Sequence, residues 1–171
     1  SNVIGTDGDG GAGDATEGNV ISGNTEVGIQ ITGEGTDGNI VAGNLIGTDK
    51  TGALALANGA DGVLIEDEAK FNRIGTDGNG TSDDHERNVI SGTTFDGVNI
   101  IDLGTEFNII AGNYIGTSID GKADQGNGSD GERIAHGAKL NRVGTDGNGN
   151  SDTAERNIIS GNEGKGVQIF N

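Results

Sequence analysis

Apolar residues in this chain come in short phrases opened by Gly or Asn and cut off by polar residues before a helical turn could close. One phrase is Gly-Val-x-Ile or a near variant, read as "GIQI" at Gly28, "GVLI" at Gly62, "GVNI" at Gly97 and "GVQI" at Gly166. A second opens at Asn2, Asn39, Asn72, Asn108 and Asn141, with Ile4, Val41, Ile74, Ile110 and Val143 two places on. The third opens at Asn19, Asn44, Asn88, Asn113 and Asn157, followed two places on by Ile21, Ile46, Ile90, Ile115 and Ile159. Phrases this short with alternating apolar positions predict β-strands, because an amphipathic helix needs a longer run of period near 3.6.

The phrases recur in a fixed order. Asp77 and Asp146 stand 69 residues apart (146 − 77), as do Asn88 and Asn157 (157 − 88). Gly62 and Gly97 are 35 apart. That interval carries an acidic insertion, 76–87, and the next carries a different insertion, 117–129. Without the insertions each interval reduces to a three-strand coil of roughly 22 residues, the arrangement of a solenoid. About five such coils fit, so the expected fold is all-β, a right-handed parallel β-helix with inserted acidic loops, forming one module over 1–171. Positions 69 apart should then lie two coils above one another, Ile90 over Ile159 among them. The chain opens at "SNVIG" and closes at "GVQIFN" without a polar cap, which predicts a piece of a longer array or a subunit that stacks end to end.

The phrases "NVISGN", "GNLIGTDKTG", "DGVLI" and "NRIG" resemble the right-handed parallel β-helix repeats of large secreted bacterial proteins, the pectate-lyase-like superfamily. The resemblance covers essentially the whole chain and implies the fold. The superfamily includes polysaccharide-cleaving enzymes as well as non-catalytic surface modules, so it leaves function open.

Stacked coils put like residues in columns. Val63, Ile65, Val98, Ile100, Val167 and Ile169 are expected inside, and the recurrent Asn at corners, where it tolerates the left-handed conformation and its amide bonds the equivalent amides above and below. Phe71, Phe107 and Leu140, each just before a corner Asn, read as core or corner packing. Glu132 breaks the inner column, which predicts a local bulge ahead of a functional carboxylate. In "TDKTGALALANGA", Leu54 and Leu56 suggest a loop folded back onto the coil. The outward column Val20, Leu45, Val89, Tyr114 and Ile158 is apolar, so loops should roof it or a partner should cover it, with roofing expected.

Composition adds chemistry. Glycine occurs 35 times and proline never, which calls for dense turns, and the absence of cysteine removes disulfides and thiolate metal sites. A net charge of −17 repels nucleic acid and anionic membranes and favours cations. No apolar run is long enough for membrane insertion. The acidic loops align as Asp7, Asp9, Asp14, Glu17; Asp77, Asn79, Asp83, Glu86; and Asp146, Asn148, Asp152, Glu155. Oxygen ligands at alternate positions with a later Glu suit calcium, a hard cation that takes about six to eight oxygens. The alternative is that Asp and Asn make Asx turns in solvated loops. Arg87 and Arg156 are expected to pair with acids of adjacent loops.

Arg73, Arg133 and Arg142 are the candidates for proton abstraction, but Arg73 and Arg142 occupy one repeat position, and His85 and His136 stand alone, so an enzyme is the second choice. The favoured reading is a calcium-stabilised structural module of an extracellular or cell-surface protein: a stalk, adhesin segment or filament subunit. Self-association or a surface glycan or protein ligand would be its partners. The alternative is a fragment of a carbohydrate-active β-helix enzyme. Asn79 and Asn127 fit the glycosylation triplet.

Overall fold

The computed structural model describes residues 1–171 and shows a parallel β-solenoid of five coils, each contributing one strand to each of three sheets. The first coil holds β1 (Val3–Gly5), β2 (Val20–Ile21) and β3 (Ile29–Thr32), and the second β4 (Ile40–Ala42), β5 (Leu45–Ile46) and β6 (Val63–Glu66). The third holds β7 (Arg73–Gly75), β8 (Val89–Ile90) and β9 (Val98–Ile101), and the fourth β10 (Ile109–Ala111), β11 (Tyr114–Ile115) and β12 (Glu132–Ala135). The last holds β13 (Arg142–Val143), β14 (Ile158–Ile159) and β15 (Val167–Ile169). Every strand pairs in parallel with its equivalent in the next coil, and Ile90, Ile115 and Ile159 share one column. No helix is long and apolar enough to cross a membrane.

The core is the inside of the coil. Ile46, Ile65, Ile74, Ile90, Ile100, Ile110 and Ile115 are fully enclosed. In-register stacking at a spacing of about 4.8 Å lays these branched side chains on their own kind, which fills the interior with little loss of rotamer freedom.

Asparagine ladders run up two corners as expected. Asn2, Asn39, Asn72, Asn108 and Asn141 form one, each Nδ2 donating to the next Oδ1 at 2.9 to 3.0 Å. Asn19, Asn44, Asn88, Asn113 and Asn157 form the other. The left-handed conformation, however, falls on the residue before the Asn and not on the Asn itself: Phe71, Phe107 and Leu140 have φ of 57°, 59° and 59°. The Asn itself is not left-handed, and its amide bonds both neighbouring rungs, as Asn72 does with Asn39 and Asn108. A side chain in left-handed backbone at a convex corner points out of the coil, so Phe71, Phe107 and Leu140 are 60 %, 41 % and 63 % exposed and are not core. The two phenyl rings stack on each other outside, 5.1 Å apart.

Sequence reading missed two further columns. Asn58 receives Asn24 and Asn162 receives Asn127, while Thr93 takes the place of an asparagine rung and donates its hydroxyl to Asn127 Oδ1. Asn127 is therefore a buried rung, its side chain enclosed although Gly128 of its glycosylation triplet is exposed. Asp61, Asp96 and Asp130 accept the backbone N–H of Asp96, Asp130 and Lys165. Burial pushes the Asp61 carboxyl up, against the pull of the Asn99 amide and the Asp96 N–H. The signal was available, since each of these aspartates directly precedes a Gly-Val-x-Ile phrase or its variant.

Glu132 does not bulge. It stays in register between Val98 and Val167, and its N–H donates to the Gly166 carbonyl at 2.9 Å. Holding the ladder keeps every backbone bond of the strand, and the whole penalty falls on one side chain, which is 2 % exposed with neither oxygen hydrogen-bonded.

Candidate functional site: the stacked acidic loops and the groove beside them

The 69-residue period has a geometric origin. The acidic loops leave the corner between the first and second strands of coils one, three and five, whereas coils two and four turn the same corner tightly through Gly43 and Gly112. An irregular loop with side chains needs roughly 10 Å of height, twice the coil spacing, so only alternate coils can carry one. The tight turns lie directly beneath the loops. Gly43 and Gly112 adopt φ of 74° and donate to the carbonyls of Glu86 and Glu155. A Cβ at either position would come within 2.7 Å of a loop carbonyl, of His85 or Ala154, so glycine is required.

The three loops therefore form one column along the coil. Asn150 Nδ2 of the last loop donates to the Gly78 carbonyl of the middle one at 3.0 Å. A Cβ at Gly8 or Gly78 would strike the carboxylate of Glu86 or Glu155, so each of these glutamates lies under the glycine of the preceding loop.

Three groups of carboxylates converge, with oxygens within 4.8 Å of one another: Asp7, Asp9 and Asp14; Asp77, Asp83 and Glu86; Asp146, Asp152 and Glu155. Glu17 is outside the first group. It is exposed, because the loop carries an extra residue and its last turn is a short 3-10 segment, Asp14–Thr16. Asn79 and Asn148 sit beside the second and third groups, their Nδ2 donating to Asp77 and Asp146 at 3.0 Å.

Internal donors already hold most of these oxygens. Glu86 Oε1 accepts from Arg73 at 2.9 Å, and its Oε2 accepts from the Thr76 hydroxyl and the Asp77 N–H at 2.8 and 3.0 Å. Glu155 repeats this with Arg142 at 3.2 Å and the Asp146 N–H at 3.1 Å. Both glutamates are essentially fully buried. Asp77 and Asp146 accept from the N–H groups of Asn79 and Asn148, and Asp7 from that of Asp9, which are Asx turns. Oxygens free to turn toward a cation thus belong chiefly to the aspartates. The Arg73–Glu86 and Arg142–Glu155 pairs were missed in the sequence, although both are 13 residues apart.

Arg73→Ala should cost about 2 kcal/mol, since it leaves the buried Glu86 with only two donors. Lys122→Ala, which breaks an exposed 3.7 Å pair with Asp120, should cost under about 0.5 kcal/mol. Urea denaturation of both variants checks the contrast, and equal costs would refute it.

Arg87 does not reach an adjacent loop. It pairs with Asp84 of its own loop at 3.0 Å and lies over the Tyr114 ring at 4.5 Å, held there by the Gly112 carbonyl. Arg156 makes no ion pair.

The second insertion is a hairpin bridged at Thr48 and Ala55, with an equivalent at Thr117 and Asp124 one period on, and the two stack through the Ile119 N–H and the Gly52 carbonyl at 3.1 Å. Leu54 and Leu56 do not fold onto the coil; they are 67 % and 51 % exposed, because the hairpin satisfies its own backbone and needs no core. Hairpins on one side and acidic loops on the other wall the outward column of the second sheet. They cover Val89, leave Val20 and Ile158 49 % and 39 % exposed, and bound a groove of about 320 Å³ rather than closing a roof. Leu45 and Val89 floor it, and Asp14, Lys50, His85 and Arg87 line its walls. His136 is elsewhere, edge-on to Phe170 at 5.9 Å.

No family model, curated protein or solved structure matches this chain.

Proposed function

We propose that the protein is a calcium-stabilised structural β-helix module of an extracellular or cell-surface protein, serving as a stalk, adhesin segment or filament subunit and related in form to the pectate-lyase-like superfamily. One observation carries this reading. Of the arginines available for proton abstraction, Arg73 and Arg142 recur in register two coils apart and each is tied to a buried glutamate, so they serve loop architecture, while Arg133 lies over the Phe170 ring at 5.0 Å. The asparagine ladders running through all five coils support a rigid rod, and a net charge of −17 favours cations as ligands. End-to-end self-association, or a glycan or protein seated in the groove, would supply the partner.

Calcium at about 100 times its Kd should stabilise the fold by about 2.7 kcal/mol. For a chain of this size that raises Tm by about 5 to 10 °C. Wild-type protein should at the same time release no unsaturated sugar from a panel of acidic polysaccharides. The groove is the observation that favours the second reading, a fragment of a carbohydrate-active enzyme, and calcium-dependent appearance of unsaturated product would establish it instead.

A further inference from the structure

The three acidic loops are alike in sequence but not in their counter-charges. Strand register places Val3, Ile40, Arg73, Ile109 and Arg142 in one column. The middle and last loops thus stand beside an arginine that neutralises their buried glutamate, and the first loop stands beside Val3. Nothing replaces that arginine. The first 49 residues contain no Lys or Arg, and no acid of the first loop takes part in an ion pair. Lys50, the first basic residue, lines the same groove as Asp14 without pairing with it.

A second observation separates the loops. Asp14 is 3 % exposed, and its Oδ1 is buried without a hydrogen-bond partner, while Oδ2 accepts from the Gly10 N–H at 3.0 Å. Its counterparts leave no buried oxygen without a donor: Asp83 Oδ1 accepts the Gly80 N–H at 3.2 Å, and Asp152 Oδ1 accepts the Gly149 N–H at 3.2 Å and the Thr145 hydroxyl at 3.1 Å. A carboxylate enclosed beside two others, with an oxygen facing no donor, is unfavourable unless a cation completes it. Oxygens of Asp7, Asp9 and Asp14 already lie within 4.8 Å of one another, as a small hard cation requires of its ligands.

We propose that the first loop alone binds a calcium-type divalent cation, through Asp7, Asp9 and Asp14, and that Arg73 and Arg142 stand in for the ion in the other two loops. The inference rests on the calcium reading above and narrows it to one site per chain.

Calorimetric titration of the chelator-treated protein with CaCl2 tests it. Wild type should bind one ion. Asp14→Asn should weaken binding by about tenfold or more, because ligand charge sets affinity in such loops. Asp83→Asn and Asp152→Asn should stay within about twofold of wild type, since neither is a ligand. Val3→Arg, which supplies the missing guanidinium, should abolish binding. If Asp14→Asn does not fold by circular dichroism, the exposed pair Asp7→Asn/Asp9→Asn decides in its place and should lose binding as well. Three ions per chain, or loss of binding in Asp83→Asn with none in Asp14→Asn, would overturn this inference and leave the calcium reading standing. No heat from wild type would overturn both.

Discussion

Glu132→Val should raise the stability of the protein at pH 7 by about 3 kcal/mol, against the usual direction of core substitutions. Glu132 occupies the inner column Ile29, Val63, Val98, Glu132 and Val167, where burial with no compensating donor pushes its carboxyl up to about 8 from 4.5. The folded pKa lies above the unfolded one, so the stabilisation is complete below pH 4.5, and it is lost progressively as pH rises to about 8. Over that window the loss amounts to about 5 kcal/mol. General repulsion within an acidic chain also weakens the fold as pH rises, and Glu132→Gln isolates the local effect: it should remove most of the decline while leaving the global part. Valine restores the apolar column as well, and at about 2 to 4 °C per kcal/mol its Tm at pH 7 should exceed wild type by 6 °C or more. Thermal melts at pH 5, 7 and 8.5 check both variants. Equal pH slopes for wild type and Glu132→Gln would show that the carboxyl finds a donor or water and does not carry the proton.

Asn88→Ala, at the middle rung of its ladder, should cost about 4 kcal/mol, more than deletion of an amide at a ladder's end. Asn88 is fully buried, and its Oδ1 accepts from the backbone N–H and the side-chain amide of Asn44 at 2.9 and 3.1 Å. Its Nδ2 donates to the Val41 carbonyl at 2.8 Å and to Asn113 at 2.9 Å. Asn44 keeps other acceptors for its amide, at Ile4 and Ala42, but its backbone N–H does not. Truncation therefore strands one buried donor and removes the amide bond to Val41, each worth about 1 to 3 kcal/mol. Asn2→Ala, at the exposed end of the first ladder, loses one side-chain bond and should cost under about 1 kcal/mol. Urea denaturation reads the difference, and hydrogen exchange should speed up in the second to fourth coils of Asn88→Ala. A cost as small as that of Asn2→Ala would mean that the ladder is only a by-product of stacking.

The fold was legible because a solenoid repeats its environment. Each Val-x-Ile phrase meets a copy of itself above and below, so a local pattern read five times specifies the register of three sheets. The 69-residue period and the corner amides followed from the same logic. Side chains whose surroundings are not repeated were less legible. Phe71 and Phe107 are apolar and recurrent, yet backbone handedness turns them outward. Leu54 and Leu56 look like roof residues, but a hairpin that completes its own hydrogen bonds has no need to bury them.

The candidate site divides in the same way. Sequence alone determined the coil, the columns of core residues and of the two corner asparagine ladders, and the alternation of loop-bearing coils, because all of these depend on spacing along the chain. Tertiary structure decided which charge meets which: that Glu86 and Glu155 turn inward to arginines, that Asp14 is enclosed with an oxygen unmatched, and that burial raises the pKa of Glu132 while its strand keeps register. Such choices depend on distances of a few ångströms between residues from different coils. Hydrogen bonding and desolvation change by several kcal/mol over that range, and spacing in the sequence does not resolve it.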